Sequence, residues 1–94
     1  METRKVPGKN NKHKVLMYAI STCVWCNRMK RFLTDNNVEY EYVDVDLCNK
    51  EDQRKIKEDI QSRGGRLTYP TIVVDDKILI TGLKEDKLRE ILEL

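Results

Sequence analysis

The sequence predicts an α/β fold with element order β-α-β-α-β-β-α, a mixed four-stranded sheet with helices on both faces. Three observations carry that expectation. A nearly continuous apolar run, "KVLMYAI" (14–20), has the character of a strand buried on both faces. Two segments with apolar residues at helical spacing follow, separated by a stretch of strict polar–apolar alternation. Two short β-branched runs then meet at an Asp-Asp pair ahead of a last amphipathic segment, as a hairpin and a closing helix would.

Each element has its own justification. Residues 24–35 read as a helix because Cys26, Met29 or Lys30, and Leu33 share one face with Phe32 beside them; Asp35-Asn36-Asn37 supplies the stop. "VEYEYVDVD" (38–46) turns Val38 and Tyr40 inward and Glu39 and Glu41 outward, a strand with one solvated face at its start. Asn49 is placed to cap the next helix, with Glu51 and Asp52 in its first turn. That helix has only Ile56 and Ile60 as apolar anchors, while Glu51–Lys55, Arg54–Glu58 and Lys55–Asp59 are i,i+4 charge pairs on its exposed face; Gly64-Gly65 ends it. "TIVVDD" (71–76) and "KILI" (77–80) form the hairpin around Asp75-Asp76. After Thr81-Gly82, Leu88, Ile91 and Leu92 line one face of the final helix. The first β-α-β unit is expected to be a right-handed crossover between parallel strands.

A chain of 94 residues is one domain with a small core, and 39% hydrophobic with 36% charged residues suits a soluble globular protein. Its apolar runs are too short to span a bilayer, and "METRKVPGKNNKHK" lacks the apolar stretch of a signal peptide, so a cytoplasmic location is expected, without a membrane partner. The net charge of +2 is uneven: five cations against Glu2 give residues 1–14 a charge of +4 and leave −2 for the rest. With Pro7, Gly8 and Asn10-Asn11, residues 1–13 are expected to be a disordered basic tail, and 14–94 the folded domain. The tail has no aromatic residue on which a base could stack, so nucleic acid is not the expected partner.

Chemistry concentrates in "YAISTCVWCNRMKRFL" (18–33), where Cys23 and Cys26 stand between the first strand and the first helix. Three readings compete: a redox pair, a metal site, and two small packing residues. A structural zinc site needs four ligands, and the only further candidates are Cys48 and His13, the latter in the expected tail. Three cysteines is an odd count for a disulfide framework. Placement at a helix N-terminus favours the thiolate of Cys23, because unpaired N–H groups and the macrodipole stabilise negative charge there. Cys26 lies one turn on, within bridging reach. The pair is therefore expected to be unequal: Cys23 exposed and attacking, Cys26 more buried and resolving. Cys48, after the second strand, reads as a small core or edge residue.

These residues also carry a family resemblance. The Cys-x-x-Cys segment, "YP" before a strand–turn–strand, and "TG" opening the last helix resemble the glutaredoxin branch of the thioredoxin-like fold across residues 14–94. "TGLKEDKLREIL" looks more like the glutaredoxin-like redoxins that serve ribonucleotide reductase as thioredoxin-type donors. The resemblance implies a three-layer fold and a thiol–disulfide oxidoreductase acting through a Cys23–Cys26 dithiol/disulfide cycle. It implies that Pro70 follows a cis peptide bond, that the backbone of Tyr69 pairs with substrate, and that Gly82 lies close to it. Thr22, Trp25 and Leu83 are implied to complete the substrate surface. Trp25 could dock partners or pack over the first helix and shield Cys26.

Partners implied by the resemblance are disulfide-containing proteins and a reductase or thiol donor; a metal or organic cofactor is not implied, and the chain is expected to be a monomer. This sequence departs from many glutathione-using members: Ile20 stands where they carry a basic residue, Val24-Trp25 replace Pro-Tyr, and Leu83 follows a single glycine. Glutathione or another low-molecular-weight thiol is thus one possible reductant among several. The rival function is a homodimer holding a [2Fe–2S] cluster between Cys23 thiolates.

Overall fold

The computed structural model describes residues 2–94. Its elements in chain order are β1 (Arg4–Val6), β2 (Val15–Ala19), α1 (Val24–Asp35), β3 (Tyr40–Asp44), a single 3₁₀ turn (Val45–Leu47), α2 (Lys50–Ser62), β4 (Thr71–Val74), β5 (Ile78–Thr81) and α3 (Glu85–Ile91). The strands form one mixed sheet in the order β1-β3-β2-β4-β5. As expected, β2 and β3 are parallel, while β4 runs antiparallel to both β2 and β5.

The continuous apolar character of β2 and β4 follows from burial on both sides. Met17 and Ala19 of β2, with Ile72 and Val74 of β4, face α1 and α3. Tyr18 and Val73 point the other way, onto Ile56 and Ile60 of α2. Alternate residues of one strand thus serve two cores. Both isoleucines of α2 are fully buried, so two anchors suffice to dock a helix that is otherwise charged. Asn49 caps α2 by accepting from the Asp52 N–H at 2.8 Å. The β4–β5 hairpin turns on Asp75 and Asp76, at φ 54° and 57°, the left-handed pair of a type I′ turn.

Two expectations about the N-terminus are corrected. The sheet has five strands rather than four, and residues 2–13 are not a disordered tail; Met1 lies outside the described residues. Arg4–Val6 pair antiparallel with β3, in the register Arg4↔Tyr42, Lys5↔Glu41, Val6↔Tyr40. The physical reason is the otherwise unpaired edge of β3, whose N–H and C=O groups find partners in β1. Asn10 continues the attachment: its N–H donates to the Asn37 carbonyl at 2.8 Å and its carbonyl accepts from the Glu39 N–H at 2.9 Å. Gly8 is required by space, since a Cβ there would lie 2.5 Å from the Asn37 carbonyl oxygen. His13 closes the segment through Nδ1, 2.7 Å from Asp75 Oδ2. A charged three-residue strand has no hydrophobic periodicity, which is why composition pointed to disorder.

Candidate active site

The end of β2 delivers the chain to a short loop, and Cys23 is the N-cap of α1, in extended backbone at φ −82°, ψ 120°. Its N–H donates to the Ile20 carbonyl at 3.0 Å, and its Sγ accepts from the backbone N–H of Cys26 at 3.2 Å. The sulfur therefore occupies the position an N-capping oxygen usually takes. The first turn of α1 carries no acidic residue, so nothing there offsets the positive end of the helix. Cys23 is partly exposed, Cys26 fully buried, and both are free thiols. Burial, followed by the hydrogen bond with Cys23, pushes the Cys26 thiol up to about 12; the charge of Cys23 adds to this, while the Ile20 backbone and the Lys30 ammonium oppose it.

Two interactions that the sequence did not disclose fix the loop and the helix that follows it. Ser21, just ahead of the cysteines, donates both its N–H and its hydroxyl to the two carboxylate oxygens of Asp46 in the 3₁₀ turn, the former at 2.8 Å. These bonds hold the Asp46 carboxyl below the ordinary carboxylate range. Lys30, mostly buried on α1, places its ammonium 3.3 Å from Asp44 Oδ1 and 4.0 Å from the centre of the Tyr42 ring. Both contacts span elements separated by more than a dozen residues, beyond the reach of any local sequence pattern.

The other residues singled out from the sequence fall into two groups. Pro70 is buried and the Tyr69–Pro70 bond is cis. Tyr69 is half-buried beside Cys26, close enough for the thiol's charge, after burial, to raise the phenol's pKa. Cys23, Tyr69 and Leu83 pack against the same core cluster, which contains Cys26. Gly82 joins the group through its N–H, which donates to the Pro70 carbonyl at 2.8 Å, and its φ of 82° explains a glycine there. Thr22, Val24 and Trp25 instead form the outward rim. Val24 is 74% and Trp25 54% exposed, so the indole leaves a large apolar face in solvent, with the Arg28 guanidinium 5.9 Å from the ring centre. Cys48 stands apart: it is half-buried, its Sγ is 3.5 Å from the Asp44 carbonyl oxygen, and burial raises its pKa. Among the described residues, no three His, Cys, Asp or Glu side chains are grouped to hold a metal ion.

A pair of unequal thiols at a helix N-terminus beside a cis-proline can exchange disulfides, and comparison with known proteins points the same way. The glutaredoxin family model matches residues 15–79. The chain belongs to the glutaredoxin family. Glutaredoxin 1 of Rickettsia felis is 31% identical over 88 residues, 86% of this chain and 82% of that protein. A glutaredoxin structure from Methanosarcina mazei superposes with a TM-score of 0.89 at 35% identity, covering 98% of this chain and 88% of that one. The methanoredoxin of Methanosarcina acetivorans gives 0.81 at 38% identity, covering 86% and 85%. As a glutaredoxin with its Cys-x-x-Cys intact, the chain is a thiol–disulfide oxidoreductase of the thioredoxin-like fold, and none of its described helices is long and apolar enough to cross a membrane.

Proposed function

We propose that this glutaredoxin reduces protein disulfides through a two-cysteine cycle. The supporting observation is the inequality of the pair: Cys23 accessible at the helix N-cap, Cys26 buried beneath it and held as a thiol. The Cys23 thiolate attacks one sulfur of the substrate disulfide; the Sγ–S bond forms as the substrate S–S bond breaks, and the leaving thiolate takes a proton. Cys26 then loses its proton and attacks Cys23 Sγ. The second substrate sulfur leaves as a thiol, and the Cys23–Cys26 disulfide remains. Two electrons and two protons have passed to the substrate.

The exposed faces of Val24 and Trp25 suit a protein substrate better than a small one. The cycle is closed by an external reductase or thiol donor. Ile20, Leu83 and the single Gly82 remove charged contacts for glutathione, which favours a thioredoxin-type route of re-reduction. Three free thiols suit a reducing compartment such as the cytoplasm, with the chain working as a monomer.

Cys26→Ser is the decisive variant. Incubated with a disulfide-bearing protein such as insulin, it should accumulate a stable mixed disulfide at Cys23 and lose multiple turnover, while Cys23→Ser forms no adduct. Full turnover by Cys26→Ser would replace the dithiol cycle with a monothiol one. A coloured, air-sensitive dimer from anaerobic purification would move the function to [2Fe–2S] binding.

A further inference from the structure

A cleft of about 460 Å3 opens between the loop that follows α2 and the α2-side face of β5. Its floor is the backbone of Gly64 and Gly65 with Leu79, and its walls carry Arg63, Arg66, Lys77 and Lys84. No carboxylate lines it. The placement follows from the fold: residues 77, 79 and 81 lie at alternating positions and so share the β5 face on which α2 packs. Gly65 lets the loop descend onto that face, since a Cβ there would run into Leu79 Cδ2.

The four cations are not equally free. Arg63 Nε is 3.1 Å from Asp59 Oδ1, and its Nη1 donates to the Asp76 carbonyl at 2.8 Å. Arg66, Lys77 and Lys84 have no ion-pair partner among the described residues. The nearby carboxylates bond to other groups, Asp75 to His13 and the Lys14 N–H and Asp76 to the Lys14 ammonium, although Asp75 also feels the charge of Lys77. Local positive charge is therefore only partly offset, Lys77 by Asp75, although the chain as a whole carries only +2.

The cleft is joined to the redox site through the backbone. Thr81, which lines it, pairs with Thr71, and the next residue, Gly82, donates to the Pro70 carbonyl. On its other side, Arg66 begins the loop that leads to Tyr69 and Pro70. Gly82 and Leu83 thus lie in the chain between Thr81 and Lys84, which both line the cleft.

We propose that this cleft docks an acidic segment of the disulfide-bearing protein substrate, so that a run of Asp and Glu near the disulfide selects partners. The inference rests on the redox function proposed above. Charge complementarity of this kind acts mainly on encounter rate and is weakened by salt.

The test compares two peptides with the same single disulfide, one flanked by Asp and Glu, the other by Asn and Gln. Wild type should reduce the acidic peptide with kcat/KM about tenfold higher at low ionic strength, and about equally in ~0.5 M salt. The double variant Arg66→Ala/Lys77→Ala should lose that preference and keep its rate on the neutral peptide. Arg4→Ala/Lys9→Ala removes two charges from the β1 side, across the sheet from β5, and should keep the preference. No preference in wild type, or equal loss in both double variants, overturns the proposal. Calorimetric binding of a disulfide-free acidic peptide separates this inference from the redox reading. Binding weakened only by the Arg66/Lys77 pair supports the cleft even if no disulfide is turned over; binding unchanged in that variant overturns docking even if reduction proceeds.

Discussion

The backbone N–H of Cys26 donates to Cys23 Sγ across 3.2 Å, so in the proposed cycle the residue that resolves the mixed disulfide also holds the sulfur that begins it. The relation has a consequence for timing. After burial, it is Cys23, through its hydrogen bond and charge, that keeps the Cys26 thiol protonated, at a pKa of about 12. Once Cys23 Sγ is bonded to substrate, its negative charge is gone and the opposing Lys30 ammonium remains, so Cys26 becomes easier to deprotonate. Burial still holds it up. The resolution step should therefore accelerate with rising pH, by about tenfold per unit while the pH stays below the Cys26 pKa. Stopped-flow fluorescence of Trp25 on a preformed mixed disulfide measures this; a rate flat from neutral to mildly alkaline pH would contradict it. Lys30→Met should displace the profile to higher pH.

Asp46 anchors the active-site loop through Ser21, and its lowered pKa fixes the sign of the pH effect. A carboxyl with a depressed folded-state pKa stabilises the fold above its ordinary value, here 3.8, and loses that contribution as pH falls through the depressed value. Asp46→Asn should therefore be less stable than wild type from about pH 5 to 7. The gap in urea midpoint should close in stronger acid. The variant should also reduce disulfides several-fold more slowly at neutral pH, because Cys23 loses a fixed loop. An unchanged midpoint at pH 7 would remove Asp46 from the site.

The core and the cysteine pair were legible in the sequence because both are local patterns. Helix α1 spans the predicted residues, and the fully buried Cys26, Met29 and Leu33 are spaced as one face of a helix. Asn49 caps α2, and Asp75-Asp76 turn the hairpin, because side-chain and backbone preferences act within four residues. The long strand expected over 38–46 ends at Asp44 because Val45–Leu47 turn into 3₁₀ geometry, which places Asp46 under Ser21. That contact, the Lys30–Asp44 pair and the β1–β3 pairing join residues far apart in the chain. None leaves a periodic trace.

Gly8 tests the corrected N-terminus. A Cβ would lie 2.6 Å from the Glu39 amide nitrogen as well as 2.5 Å from the Asn37 carbonyl oxygen, and backbone on both sides cannot yield as a side chain would. Gly8→Ala should cost about 1–3 kcal/mol in urea denaturation. It should also raise hydrogen exchange at the β3 amides that β1 protects. A wild-type midpoint with unchanged exchange would return residues 2–13 to the status of a tail.

Alkali should destabilise the reduced protein chiefly through two of its buried groups. Burial raises the Cys26 thiol from 9.0 to about 12, and burial with the hydrogen bond from its hydroxyl to Asp59 at 2.8 Å raises the Tyr18 phenol above its ordinary 10.0. The folded state then keeps protons that the unfolded chain releases. Stability from these groups is fully present below about pH 9 and is lost as pH rises toward the folded-state values, by about 1.4 kcal/mol per pH unit for each proton retained. Urea midpoints under a strong reductant should be level from pH 7 to 8 and decline from about pH 9 upward. Tyr18→Phe should begin less stable at neutral pH, for want of the Asp59 hydrogen bond, and decline less steeply above about pH 10. Equal slopes for Tyr18→Phe and wild type would mean that the Tyr18 phenol ionises as readily in the folded protein as in the unfolded chain.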